Sequence, residues 1–159
     1  MHFSVKEDII QLTEKWDGER FPDGRPRVSD EDLEELRHLT LEEVWQPMFM
    51  KGYLNQFEEK LKRLHEDKTK LVGRAVTCSF MPARPDLEET VKKIGASEGR
   101  KGTCNQWVID TLVEGDVVVA DMYDKIYEGT FVGGNLSTAI KNRTKTGGAV
   151  VWGGIRDLE

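Results

Sequence analysis

The chain has 159 residues, 38% hydrophobic and 33% charged. That is enough for one domain with a buried core, and its spread of aromatic and β-branched residues argues against global disorder. With 23 Lys and Arg against 29 Asp and Glu, the formal net charge is −6, which excludes a general attraction to nucleic acid or anionic membranes.

No run approaches the ~18 apolar residues of a membrane span. The N-terminus carries Glu7 and Asp8 and no apolar core, so no secretory leader is expected. Cys78 and Cys104 form no Cys-x-x-Cys pair and have no His at zinc spacing, which reads as reduced thiols in a cytoplasmic protein.

In chain order, a first helical stretch precedes a loop over 17–27, where Gly18, Pro22, Gly24 and Pro26 interrupt any regular pattern. Ser29-Asp30-Glu31-Asp32 reads as a helix start followed by Leu33, Leu36 and Leu39. Thr40-Leu41-Glu42-Glu43 has the form of a capping box, and Leu41, Val44, Trp45, Met48 and Phe49 then recur at helical spacing. A third helix is expected over Phe57 to Leu64, with Glu58, Glu59, Lys60, Lys62 and Arg63 as a solvated face. Trp45 and Trp107 are expected in a core or an interface.

The pattern changes at Leu71. Leu71 to Phe80 has strand character, Pro82 and Pro85 mark a loop, and Leu87 to Ile94 and Thr103 to Leu112 read as helices. Asp116 to Asp121, a β-branched run, reads as a buried strand. Ile126 to Val132 is a possible further strand, Leu136 to Lys145 a helix, and Ala149 to Trp152 a buried strand. Residues 1–68 are thus expected to form an acidic helical N-terminal extension. Residues 69–159 are expected to form an α/β domain with some parallel pairing, residues 116–152 supplying one βαβ-like unit.

Two glycine-rich segments carry candidate chemistry. Gly133-Gly134-Asn135-Leu136-Ser137-Thr138 precedes a helix, and the first N–H groups of a helix lack internal partners and favour an anion. Gly153-Gly154-Ile155-Arg156-Asp157 follows a strand, where α/β sheets present ligand-binding loops. Arg156 can hold a carboxylate or enolate with its planar fork, and Asp157 can offer a hard oxygen to Mg²⁺ or Mn²⁺. Taken singly, the first segment also fits a plain connector and the second an exposed ion pair. Together they predict an anion cradle, a cation and a metal ligand at one sheet edge. His2, His38 and His65 have no partners at ligand spacing, and Lys141 and Lys145 read as helix-surface charges. Arg100-Lys101-Gly102-Thr103 reads mainly as a turn before a helix.

The two segments, together with Lys141, Gly147-Gly148-Ala149-Val150-Val151 and Gly115 to Asp121, resemble the RraA-like family over about residues 68–159. That family includes 4-hydroxy-4-methyl-2-oxoglutarate aldolase and the regulator of ribonuclease activity A. The resemblance implies a layered swivelling β/β/α-type fold and a homotrimer or hexamer with sites between subunits. It further implies a divalent-metal-dependent lyase acting on small 2-oxo acids such as 4-hydroxy-4-methyl-2-oxoglutarate or oxaloacetate and releasing pyruvate. Carried onto this chain, Arg156 would bind the 2-oxo acid and stabilise its enolate. Asp157 would hold the metal, and Gly134, Asn135, Leu136 and Ser137 would bind the substrate carboxylate.

Many aldolases of the family have Glu where this chain has Asn135 and Asp where it has Trp152, which implies an altered pocket. Family members also continue through further strands, so a domain incomplete at its C-terminal end is expected. The competing reading is a non-catalytic protein that binds and regulates a ribonuclease through its acidic surface.

Overall fold

A computed structural model describes residues 5–64, 70–124 and 129–157. His2, His65 and residues 126–128 of the possible Ile126–Val132 strand lie outside the described residues. The chain divides into two compact units, Met1–Glu59 and Lys60–Glu159.

The first unit holds α1 (Lys6–Leu12), α2 (Asp30–His38) and α3 (Leu41–Met50). Both start signals read from the sequence are used. The Ser29 side chain accepts from the Asp32 amide at 3.0 Å. At α3 Thr40 accepts from the Glu43 amide at 3.2 Å while Glu43 accepts from the Thr40 amide at 2.7 Å. The loop between α1 and α2 is organised by Arg20, whose guanidinium donates to Thr13 Oγ1, Thr13 O and Gly24 O. Leu33 is the buried apolar residue of α2. No residue of α3 is buried, and Trp45 stacks on Phe49 with ring centroids 5.1 Å apart.

The helix expected over Phe57 to Leu64 does not form; the backbone there is irregular. Phe57, Leu61 and Leu64 remain 48%, 42% and 54% exposed. With its apolar residues left this exposed, a segment of two turns cannot recover its nucleation cost.

The second unit is a mixed α/β structure built on a three-stranded parallel sheet in the order β1 (Arg74–Ser79), β2 (Asp116–Asp121), β3 (Gly148–Trp152). α4 (Pro85–Ser97) and α5 (Cys104–Asp110) lie between β1 and β2 in the chain, and α6 (Gly134–Thr144) lies between β2 and β3. β2–α6–β3 is therefore the βαβ unit expected from the sequence. The register pairs Val76 with Val118 and Cys78 with Ala120, and Ala120 with Val151. These residues face one side of the sheet, because side chains alternate along a strand. There Val118 and Ala120 join Ile109, Leu112, Phe131, Val132 and Ile140 in the core. Burying each large apolar side chain contributes about 1.5–3 kcal/mol. On the other face Thr77, Ser79, Val119, Asp121, Val150 and Trp152, with Leu61, line a cavity of about 480 Å³.

β2 begins on a buried charge. Asp116 is fully buried; its carboxylate accepts from the Val113 amide at 3.0 Å and lies 3.8 Å from Arg74 Nε. Arg74 also donates to Glu114 O at 2.7 Å. Gly147 passes directly over the Asp116 carbonyl, and an added Cβ would collide with it, so the sequence before β3 needs a glycine. Across the helical layer, Arg143 of α6 donates to the Asp110 carboxylate of α5 at 2.6 Å. Trp107 packs on Gly95, donates to Lys101 O at 2.8 Å and lies under Arg100. The Arg100–Thr103 turn is thus occupied with local structure, Arg100 also pairing with Glu98 at 2.7 Å.

Candidate active site

The site is assembled by two loops that lie 23 residues apart in sequence. After β3, residues 154–156 run beside residues 130–132 as a parallel bridge between Thr130 and Gly154. Phe131 N donates to Gly154 O at 3.1 Å, and Arg156 N donates to Val132 O at 3.2 Å. The side chains of Phe131 and Val132 are 1% and 4% exposed, so this short ladder is anchored in the core.

From that anchor each chain takes one further step. Gly133 and Gly134 open α6 on one side, and Arg156 and Asp157 turn over them on the other. Asp157 adopts a left-handed conformation, φ 59°, which Asp tolerates better than most residues. This returns its carboxylate to the start of α6, where Oδ2 accepts from the Gly134 amide over a long 3.3 Å. α6 has no side-chain cap of its own, since its N-cap is Gly133. Asp157 takes that role from a distant loop, its negative charge facing the positive end of the helix. A Cβ at Gly133 would overlap Asp157 Oδ2 and sit 3.0 Å from Arg156 Nε, so glycine is required there for close approach.

The residues singled out in the sequence take up different positions around this point. Gly134 and Asp157 are in contact, and Arg156 Nε lies 3.7 Å from Asp157 Oδ2. Both side chains are largely exposed, so the pair adds little to stability. The amides of Asn135 and Leu136 belong to the first turn of α6, where no intrahelical acceptor exists. Ser137 stands apart. Its amide donates to Gly133 O at 3.0 Å and its hydroxyl to the same oxygen at 2.9 Å. Thr138 likewise donates to Gly134 O. These hydroxyls secure the helix start, and the amides left facing outward are those of Asn135 and Leu136. Trp152 faces the opposite side of the sheet, lining the cavity there.

The arrangement can hold a small anion between two helix-start amides and a guanidinium. Among the described residues no group of three or more His, Cys, Asp or Glu is placed to hold a metal ion. The exposed carboxylate of Asp157 suits Mg²⁺ or Mn²⁺ as one hard oxygen ligand, in the manner of sites that use one or two carboxylates and complete the shell with substrate oxygens and water. Two contributors escaped the sequence reading. Gly133 is visible there only as half of a Gly-Gly pair. The Phe131–Val132 ladder carries no motif.

The sequence matches the RraA-like family, described as Aldolase/RraA, over residues 26–159. The chain belongs to the RraA-like family. The match begins ahead of α2 and so takes in α2 and α3 as well as the sheet. No curated protein and no solved structure matches this RraA-like chain. Among the described residues no helix is long and apolar enough to cross a membrane.

Proposed function

We propose that this RraA-like protein is a divalent-metal-dependent carbon–carbon lyase acting on small 2-oxo acids such as 4-hydroxy-4-methyl-2-oxoglutarate or oxaloacetate, with pyruvate as a product. The observation that carries this reading is the contact of Asp157 with the first amide of α6, Arg156 standing beside it. A helix start, a guanidinium and a hard carboxylate within one turn are the groups needed to grip an oxo-acid and to receive charge as its carbon–carbon bond breaks.

In this reading the outward amides of Asn135 and Leu136 hold the substrate carboxylate, and Gly134, whose own amide goes to Asp157, lets it approach the backbone closely. Arg156 stands where negative charge develops: as the bond to the departing carbon breaks, its electron pair becomes the enolate of pyruvate, and the guanidinium stabilises it. For the hydroxylated substrate a water takes the 4-hydroxyl proton, and a proton returns to the enolate carbon. Asp157 holds Mg²⁺ or Mn²⁺, which when bound supplies Lewis acidity to the keto and carboxylate oxygens. The reading includes the homotrimer or hexamer that the family resemblance implies, in which a neighbouring subunit adds groups to the site.

The experiment is pyruvate release by the full chain from each substrate with Mg²⁺, with and without a chelator, for wild type and Asp157→Ala. Turnover that requires the metal and is lost in Asp157→Ala is expected. Turnover that survives the chelator, or persists unchanged in Asp157→Ala, refutes the assignment.

The net charge of −6 and the acidic start of α2 (Asp30, Glu31 and Asp32) favour a second reading, a binding protein that regulates a ribonuclease. Failure to retain a ribonuclease at low salt removes it.

A further inference from the structure

We infer that Asn105 is a positioning residue for the anion-binding start of α6, acting through the Phe131 carbonyl. The inference rests on the reading of residues 134–136 as the substrate cradle. Asn105 lies in the first turn of α5, and its Nδ2 donates to Phe131 O at 2.8 Å, across 26 residues of sequence. The orientation of the amide is fixed by its neighbours. A carbonyl can only accept, so the nitrogen must face Phe131, and Oδ1 accepts from Thr103 Oγ1 and from the Gln106 amide at 3.1 Å.

Phe131 and Val132 immediately precede Gly133 and Gly134. Their backbone is held by Gly154 and Arg156, and the Phe131 carbonyl is held in addition by Asn105. The Phe131 ring fills the core against Phe80, centroids 5.7 Å apart, but a ring does not fix the rotation of its own peptide plane. The Asn105 hydrogen bond does. Through it α5 sets the direction in which the chain leaves Val132, and hence where the amides of 134–136 point.

This role differs from general support of the fold. Asn105→Asp preserves size and shape but places a carboxylate oxygen against the Phe131 carbonyl, so attraction becomes repulsion at the same distance. A cradle holding a carboxylate that is unchanged by the reaction binds substrate and transition state alike, so its displacement raises KM and spares kcat. Mere loss of folded protein does the reverse, lowering kcat with KM unchanged.

The test measures KM and kcat for pyruvate release with Mg²⁺ on the full chain, together with amide hydrogen exchange at Gly134 and Arg156. For Asn105→Asp a rise in KM of about tenfold is expected, the scale of one lost hydrogen bond, with kcat within about twofold. Exchange at Gly134 and Arg156 quickens. Asn105→Ala, which removes the donor without adding repulsion, gives a smaller change in the same direction and serves alone if Asn105→Asp does not fold.

Wild-type KM together with wild-type exchange in a folded variant overturns the inference. So does a fall in kcat at constant KM. If the wild-type chain releases no pyruvate, the proposed activity fails, and exchange at Gly134 and Arg156 alone decides the positioning role: faster exchange supports it and unchanged exchange overturns it.

Discussion

Gly133→Ala isolates the convergence on which the site depends. Gly133 has φ −122° and ψ −166°, extended backbone that alanine adopts without strain, so the substitution carries no conformational penalty of its own. The new methyl would meet Asp157 Oδ2, Arg156 Nε at 3.0 Å and Arg156 Cγ at 3.2 Å. Asp157 Oδ2 is the tip of its side chain, Arg156 Nε and Cγ lie along a flexible stem, and the Arg156 and Asp157 side chains are 73% and 60% exposed, so both can swing outward into water. The cost to stability is accordingly small, about 0–1 kcal/mol for a weak exposed ion pair and one long cap contact. The cost to chemistry is larger, because displacing catalytic groups by about 1 Å lowers rates by about 10²-fold. The expected result is a fall in kcat/KM for pyruvate release of about two orders of magnitude, with a thermal midpoint within about 4 °C of wild type. Gly134→Ala provides the stability comparison: its Cβ would come no closer than 3.9 Å to Asp157 Cβ, and alanine stabilises a helical position by about 0.5–1 kcal/mol over glycine. If Gly133→Ala folds and keeps full kcat/KM, Arg156 and Asp157 do not act where the structure puts them.

Two further outcomes follow from the second unit. Asp116→Ala leaves the Arg74 guanidinium in a buried site and the Val113 amide without its acceptor, so a loss of about 3–5 kcal/mol is expected in chemical denaturation; a loss under about 1 kcal/mol would show that the pair is not buried in solution. Burial pushes the Cys78 thiol up from 9.0 to about 11, so at pH 8 it should react with iodoacetamide more slowly than a free thiol, and equal rates would contradict the packing. The sign for stability is set by the same shift. The folded state holds the proton more tightly than the unfolded chain, so this contribution is complete below pH 9 and is lost as pH rises from 9 through 11. Cys78→Ser removes that part of the alkaline decline.

The parts of the fold that were legible in the sequence are those whose cause is local. Val117, Val118 and Val119 form a strand because β-branched residues favour one, and the observed bounds of β2, Asp116 to Asp121, are those of the run. The Thr40–Glu43 box announces α3 because both its hydrogen bonds lie within four residues. The Phe57–Leu64 segment shows the limit of such reasoning. Its apolar residues sit at helical spacing, yet helicity depends on a partner surface that spacing does not reveal. The buried charge of Asp116 was invisible for a related reason: its guanidinium partner Arg74 lies in another strand. At the candidate site, the glycine pairs marked both loops, and Arg156-Asp157 marked the side chains that turn over the start of α6. What could not be read was the commitment of the Ser137 amide to Gly133, or the left-handed turn at Asp157 that brings its carboxylate home.

Because the side-chain cap of α6 comes from Asp157, that helix draws part of its start from a loop 23 residues away. Excised from the protein, residues 133–145 would fray from their first residue, having neither a capping side chain nor an acid in the first turn. Inside it, the cap is present only where β3 is paired with β2 and its following loop lies beside residues 130–132. The candidate site therefore has no counterpart in any local segment: whatever loosens β3 from β2 also uncaps α6 and parts Asp157 from Gly134.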